Sequence, residues 1–170
     1  MARSYVLNYV HCVFGTKERT QLIRDPRSLW AYIRGIARNR NFDLLSVGGT
    51  VDHVHVLLAL PTNRNLAEVM RDIKANSSRY MRESGVRFAW QDGYSGISVS
   101  PSQVNTVRRY IANQERHHHK QSFDEELVML LERAGARFDR TELLGRVSGE
   151  TNSQTPCVEP EGRNLREPRM

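Results

Sequence analysis

Seven residues, Asp52-His53-Val54-His55-Val56-Leu57-Leu58, constrain the fold more than any other stretch of the chain. On a strand, side chains two apart share a face. His53 and His55 therefore project side by side, while Val54, Val56 and Leu58 bury on the opposite face. Two imidazoles at that spacing can hold one divalent metal ion, each through a ring nitrogen. The plainer alternative is a pair of partly exposed histidines on a half-buried strand, and the pair alone does not decide between them.

The surrounding pattern supplies a sheet for this strand. Ser4 to Gly15 reads as a central strand, with Val6, Val10, Cys12 and Phe14 on one face and Tyr5, Leu7, Tyr9, His11 and Val13 on the other. Pro26 opens a helix whose apolar positions Leu29, Trp30, Ile33, Ile36 and Ala37 have helical spacing. Phe42 to Val47 is a second strand, followed by a turn or bulge signal at Gly48-Gly49. Val51 to Leu60 is a third strand, ended by Pro61, and Asn65 can cap a long helix with Leu66, Val69, Met70, Ile73 and Ser77 as its core stripe. A short strand is predicted over Ile97 to Ser100. A helix then runs from Pro101 to about His119, and Ser122 with Glu125 forms a capping box for a last one. This order predicts an α+β, ferredoxin-like (RRM-like) antiparallel sheet with helices on one face. The C-terminal helices are free to bring groups to the other face.

The chain carries 25 Lys and Arg against 19 Asp and Glu, a net charge of +6, which suits a polyanionic partner. Residues 141–170 hold four Arg and five Glu, leaving +7 on residues 1–140. That last segment has no aromatic residue and three of the six prolines, and is expected to be a flexible tail after one domain over 1–140. No run approaches the roughly 18 apolar residues of a membrane span. The start has no signal-peptide layout. Cys12 and Cys157 fit a reduced, cytoplasmic chain better than a disulfide framework.

A second constellation lies on the helix after Pro101. Tyr110 and Gln114 are four apart and share a helical face, which His117 continues. A tyrosine hydroxyl beside a bound divalent ion could attack a phosphodiester, and a glutamine carbonyl could complete the ligand set. The bland alternative is a tyrosine packed partly into the core and a solvated glutamine. His117-His118-His119 most simply interact with the helix dipole, with a phosphate contact for His117 as the other reading. Basic and polar groups that could touch phosphates are Lys17, Arg19, Arg71, Lys74, Asn76, Ser77, Arg79, Arg108 and Arg109. Trp90 and Tyr94 could stack on unpaired bases, with a core role for Trp90 equally open.

Several stretches in one order resemble the single-tyrosine HUH transposases of bacterial insertion sequences, the insertion-sequence-200/605 group. They are His11-Cys12-Val13-Phe14-Gly15-Thr16-Lys17, Asp52-His53-Val54-His55, Lys74-Ala75-Asn76-Ser77-Ser78, Trp90-Gln91-Asp92-Gly93-Tyr94, Ser98-Val99-Ser100-Pro101-Ser102-Gln103 and Tyr110-Ile111-Ala112-Asn113-Gln114. The resemblance covers residues 5 to 135 or so. It implies Mg²⁺ or Mn²⁺ held by His53, His55 and Gln114, and attack by Tyr110 on single-stranded DNA to leave a 5′-phosphotyrosine and a 3′-hydroxyl. It also implies hairpin-bearing DNA as substrate, a homodimer, and no nucleotide cofactor. Within enzymes the alternative is a host-adapted nickase of hairpin DNA. From another class comes a non-catalytic single-strand DNA-binding module, which would need none of the four site residues. A zinc hydrolase built on His-x-His is disfavoured, since no water-activating carboxylate is obvious beyond Asp52.

Overall fold

The computed structural model describes residues 5–114 and 122–144. It divides into two compact units, Met1–Arg137 and Phe138–Met170. The first unit holds strands β1 (Tyr9–Gly15), β2 (Asp43–Gly49), β3 (His53–Ala59) and β4 (Ser95–Val99). Its helices are α1 (Pro26–Asn39), α2 (Leu66–Glu83), α3 (Val104–Ala112) and α4 (Phe123–Arg133). The second unit contributes the short α5 (Arg140–Leu144). No helix among the described residues is long and apolar enough to cross a membrane.

The strands form one antiparallel sheet in the order β2-β3-β1-β4. With α1 and α2 as the crossovers, this is the ferredoxin-like plan expected from the element order. The alternation of each strand divides the side chains between two faces. Val10, Cys12, Phe14, Val47, Val54, Val56 and Leu58 join Leu29, Ile33, Val69, Met70 and Ile73 of α1 and α2 in the main core. The other face carries His11, Val13, His53, His55 and Leu57, buried with Ile111 of α3 and Phe123 and Leu127 of α4. Helix α1 starts at Pro26 with Asp25 accepting from Ser28 N–H, and α2 and α4 both begin with full capping boxes, Asn65 with Glu68 and Ser122 with Glu125.

β2, β3 and β4 each shift by one or two residues at their ends from the sequence expectation, and three further differences have a structural cause. The first strand begins at Tyr9 rather than Ser4, and Tyr5 and Leu7 are exposed. Its partner β3 ends opposite Tyr9 at Ala59, and after one more bond, Leu60 N–H to Asn8 O, Pro61 has no N–H to extend the ladder. The helix expected from Pro101 opens instead as a 3-10 turn, Pro101–Gln103, and α3 closes at Ala112 with Asn113 at its C-cap. The remainder of its expected length, residues 115–121, lies outside the described residues.

Gly48 and Gly49 are the third difference, for they are the last two residues of β2 and not a turn. A side chain at Gly48 would run into the backbone oxygen of Ile111 and stand 3.0 Å from its Cγ2. The missing Cβ therefore lets α3 lie directly on β2, opposite His55 in the register. Gly48→Ala is expected to lower stability by ~1–3 kcal/mol through overpacking, read by urea denaturation. Unchanged stability would show that α3 does not need this close approach.

Candidate metal and tyrosine site

The site is assembled from three directions on the face away from α1 and α2. Strand β3 supplies His53 and His55, both fully buried. Each imidazole is fixed through its Nδ1. His53 Nδ1 lies 2.7 Å from Asp52 Oδ1 and 3.0 Å from Thr50 Oγ1, and His55 Nδ1 lies 3.0 Å from His11 Nε2. Both rings thereby turn Nε2 inward, the arrangement by which metal-ligating histidines are usually oriented. His11 stacks on His55 with ring centroids 5.2 Å apart. Burial, aided by the neighbouring His55, pushes the pKa of His11 down to about 3, so its ring is neutral. A neutral His11 can accept the Nδ1 proton of His55, which leaves the Nε2 lone pair of His55 facing the site.

Glu126 of α4 enters from above and is buried at 3% exposure. Its Oε2 is 3.8 Å from His53 Nε2 and 3.5 Å from His55 Nε2. Its Oε1 accepts from the Tyr110 hydroxyl and from Gln114 Nε2, the latter at 2.9 Å. Burial pushes the pKa of Glu126 up to about 7; His53 opposes that shift and Asp52 adds to it. The Tyr110 ring stands edge-on to His55, centroids 5.8 Å apart, and Phe123 stacks on His53 at 4.4 Å. Tyr110 lies on α3 and Gln114 just past its C-cap Asn113, not on one continuous helix; they meet at the Glu126 carboxylate, and the Tyr110 ring stands beside His11 and His55 of the same chain.

A divalent ion fits these donors. The side chains of His53, His55 and Glu126 offer ligand atoms within 4.8 Å of one another. Bonds of ~2.1 Å to one ion would draw neighbouring donors to about 3–3.5 Å apart, close to the spacings present. Gln114 Oε1 is buried and has no hydrogen-bond partner among the described residues, so it remains available as a further oxygen donor. Imidazole nitrogens with carboxylate and amide oxygens suit Mg²⁺, Mn²⁺ or Zn²⁺.

Two participants escaped sequence analysis. His11 shares a strand face with Val13, but nothing in its neighbourhood announces a partner 44 residues away. Glu126 did leave a signal. It stands in the buried stripe Phe123, Glu126, Leu127 of an amphipathic helix, where an acid is out of place.

The expected DNA contacts divide by environment. Lys17, Arg71, Arg79, Arg108 and Arg109 are exposed. Asn76 and Arg79 line a cleft of about 560 Å³ with Tyr32, Asn39 and Arg40, on the α1–α2 side of the sheet. Lys74 Nζ is engaged by the carbonyls of Gln91 and Gly93 at 2.7 and 2.6 Å, and so ties α2 to the loop before β4. Ser77 is fully buried, bonded to Ile73 O and receiving Trp90 Nε1–H at 3.0 Å; Trp90 is a core residue. Tyr94 is exposed. His117 lies outside the described residues.

Arg19 has an intramolecular role. Its Nε donates to Asp124 at 2.9 Å, its Nη1 donates to Gln91 Oε1, and the guanidinium lies 4.3 Å over the Phe123 ring. It thus clips the first turn of α4, which also carries Glu126, to the body of the sheet. Arg19→Ala should loosen α4 by about 1 kcal/mol, allowing for partial solvent screening of the ion pair. The check is faster amide hydrogen exchange in residues 123–133 with little change in β1 and β3, and equal exchange throughout would refute the clip.

The family model described as Transposase IS200 like matches residues 4–114. No curated protein matches the chain significantly. Among solved structures, a candidate transposase from Deinococcus radiodurans R1 is 25% identical, with a TM-score of 0.53 over 67% of this chain and 96% of that one. A REP-associated tyrosine transposase bound to a REP hairpin is 17% identical, with a TM-score of 0.54 over 91% of this chain and 98% of that one, a likeness of fold. The family match spans well over half the chain and contains the strand histidines, the tyrosine and the glutamine, and the chain belongs to the IS200-like transposase family.

Proposed function

We propose that this transposase cuts and rejoins single-stranded DNA through Tyr110, with a divalent ion, Mg²⁺ or Mn²⁺, held by His53, His55 and Gln114. The observation that carries this reading is the meeting of a tyrosine hydroxyl with two oriented, buried imidazoles and a glutamine in one pocket of one chain. A pure DNA-binding module needs none of that. Buried polar groups are costly unless matched, and a cluster of this size is hard to account for as packing.

In the proposed cleavage, the Tyr110 phenolic oxygen attacks the scissile phosphorus. The Oη–P bond forms and the P–O3′ bond breaks. The phenolic proton is lost to solvent or a nearby acceptor, and the departing 3′ oxygen is protonated to a hydroxyl. A 3′-hydroxyl attacking the 5′-phosphotyrosine later reverses these changes and rejoins the strand, so the phosphoester bond is conserved and no nucleotide cofactor is required. The bound ion would polarise the phosphate and stabilise its developing charge. The chain's own work is placement: Asp52, Thr50 and His11 orient the imidazoles, and α3 lying on Gly48 brings the phenol beside them.

The substrate is proposed to be hairpin-bearing DNA at element ends, supported by the hairpin bound to the structurally similar REP-associated transposase. Lys17, Arg71, Arg79, Arg108 and Arg109, with Asn76, are the surface groups proposed for phosphate contacts. A homodimer is proposed on the family resemblance, and a cytoplasmic setting on the cysteine usage. Tyr110 is proposed to act on the metal site of its own chain, because that is where its hydroxyl lies.

The deciding test mixes the protein with Mn²⁺ and single-stranded DNA from the flanks of its own gene, followed by a denaturing gel. A covalent protein–DNA band is expected with the wild type and with neither Tyr110→Phe nor duplex DNA; His53→Ala should lose it while remaining folded. Tight single-strand binding without any adduct would favour a binding module. Residues 1–140 are proposed to be sufficient, so deletion of 141–170 should leave the melting temperature of the remainder within a few degrees. A large drop would give the last segment a structural role.

A further inference from the structure

Glu126 belongs to none of the sequence motifs, yet the Tyr110 hydroxyl, the Gln114 amide and the Nε2 atoms of His53 and His55 all lie close to it. Its two oxygens are turned to different tasks. Oε2 points at both inward imidazole nitrogens, at 3.5 and 3.8 Å. Oε1 accepts the Tyr110 hydroxyl and the Gln114 amide. Two neutral imidazoles and a glutamine would give a divalent cation no negative charge, and hard cations favour carboxylate oxygen. A bound cation would also favour the ionised form of a carboxylate this deeply buried.

We propose that Glu126 joins metal and nucleophile: Oε2 is the anionic ligand of the ion held by His53 and His55, while Oε1 holds the Tyr110 phenol beside that ion. Glu126 is thus a metal ligand and also a positioning residue for Tyr110. The inference rests on the reading of Tyr110 as nucleophile and changes the order of the ligands. Gln114 donates its Nε2 to the same carboxylate oxygen, so it orients Glu126 and offers only its carbonyl to the ion. Helix α4 becomes part of the catalytic apparatus, pinned by Arg19 to Asp124 and by the stack of Phe123 on His53.

The test measures Mn²⁺ affinity by calorimetry on the full chain after chelator treatment, with melting in EDTA as the check of folding. Glu126→Gln keeps the size of the side chain and should weaken Mn²⁺ binding by at least ~10-fold, as much as or more than Gln114→Ala. Glu126→Asp withdraws the carboxylate by one methylene. It should retain Mn²⁺ binding but form the Tyr110–DNA adduct at least ~10-fold more slowly at saturating Mn²⁺, because the phenol loses its rest. If Glu126→Gln binds Mn²⁺ like the wild type while His53→Ala does not, the proposal fails and the tyrosine–histidine reading stands. If neither variant affects binding, the metal centre and the proposal fail together. Should Glu126→Gln not fold, Glu126→Asp decides, and a wild-type adduct rate in that variant overturns the coupling.

Discussion

A single carboxylate, buried under α4 between two imidazoles, is the constraint on which the rest of the site depends. A charge in such a place is tolerated only where its surroundings return the energy of lost hydration. Here Tyr110 and Gln114 both donate to one oxygen, and the two imidazole nitrogens face the other. Each neighbour is in turn held from outside. Asp52 and Thr50 hold His53, His11 holds His55, and α3 is seated by the absence of a side chain at Gly48. The outcome is a pocket in which the orientation of each ring is set by a second partner rather than left to rotamer choice.

The sheet makes this economy possible by separating its faces. One face packs against α1 and α2 and consists of apolar side chains. The other face buries fewer apolar side chains and carries His11, His53 and His55. Register brings these three close together. Val13 pairs with His55 and Gly15 with His53, which places His11 diagonally across from His55. Gly15, opposite His53, leaves room for Arg19 and Phe123 to close over the ring. The short α4 is then fixed at its first turn, where its apolar residues and its acid are needed together.

The positive charge of the chain has two uses that its count does not separate. Lys74 and Arg19 are drawn into the structure, the first tying down the loop before β4, the second clipping α4. Lys17, Arg71, Arg108 and Arg109 remain exposed. Only cations of this second kind can exchange counterions with a phosphate backbone. Net charge therefore overstates the electrostatic surface, and a basic residue close to a catalytic motif can be structural.

The alternation of β3 can be read from residue order alone, and with it the two histidines on one face and the core on the other, because strand geometry has a period of two. The element order that yields a ferredoxin-like sheet is legible in the same way. These are local consequences of backbone geometry, legible within a few residues. Tyr110 and Gln114, expected on one helical face, are instead separated by the end of α3 and meet only at Glu126. Gly48-Gly49 signals a turn or bulge in the sequence, whereas both end β2 and Gly48 admits Ile111 of α3, far along the chain. Trp90 and Ser77 were ambiguous until their bond across the core placed both inside. That Glu126 and His11 belong to the site is visible only in three dimensions. Their roles come from contacts between elements distant in the chain, and such contacts leave no period in the sequence.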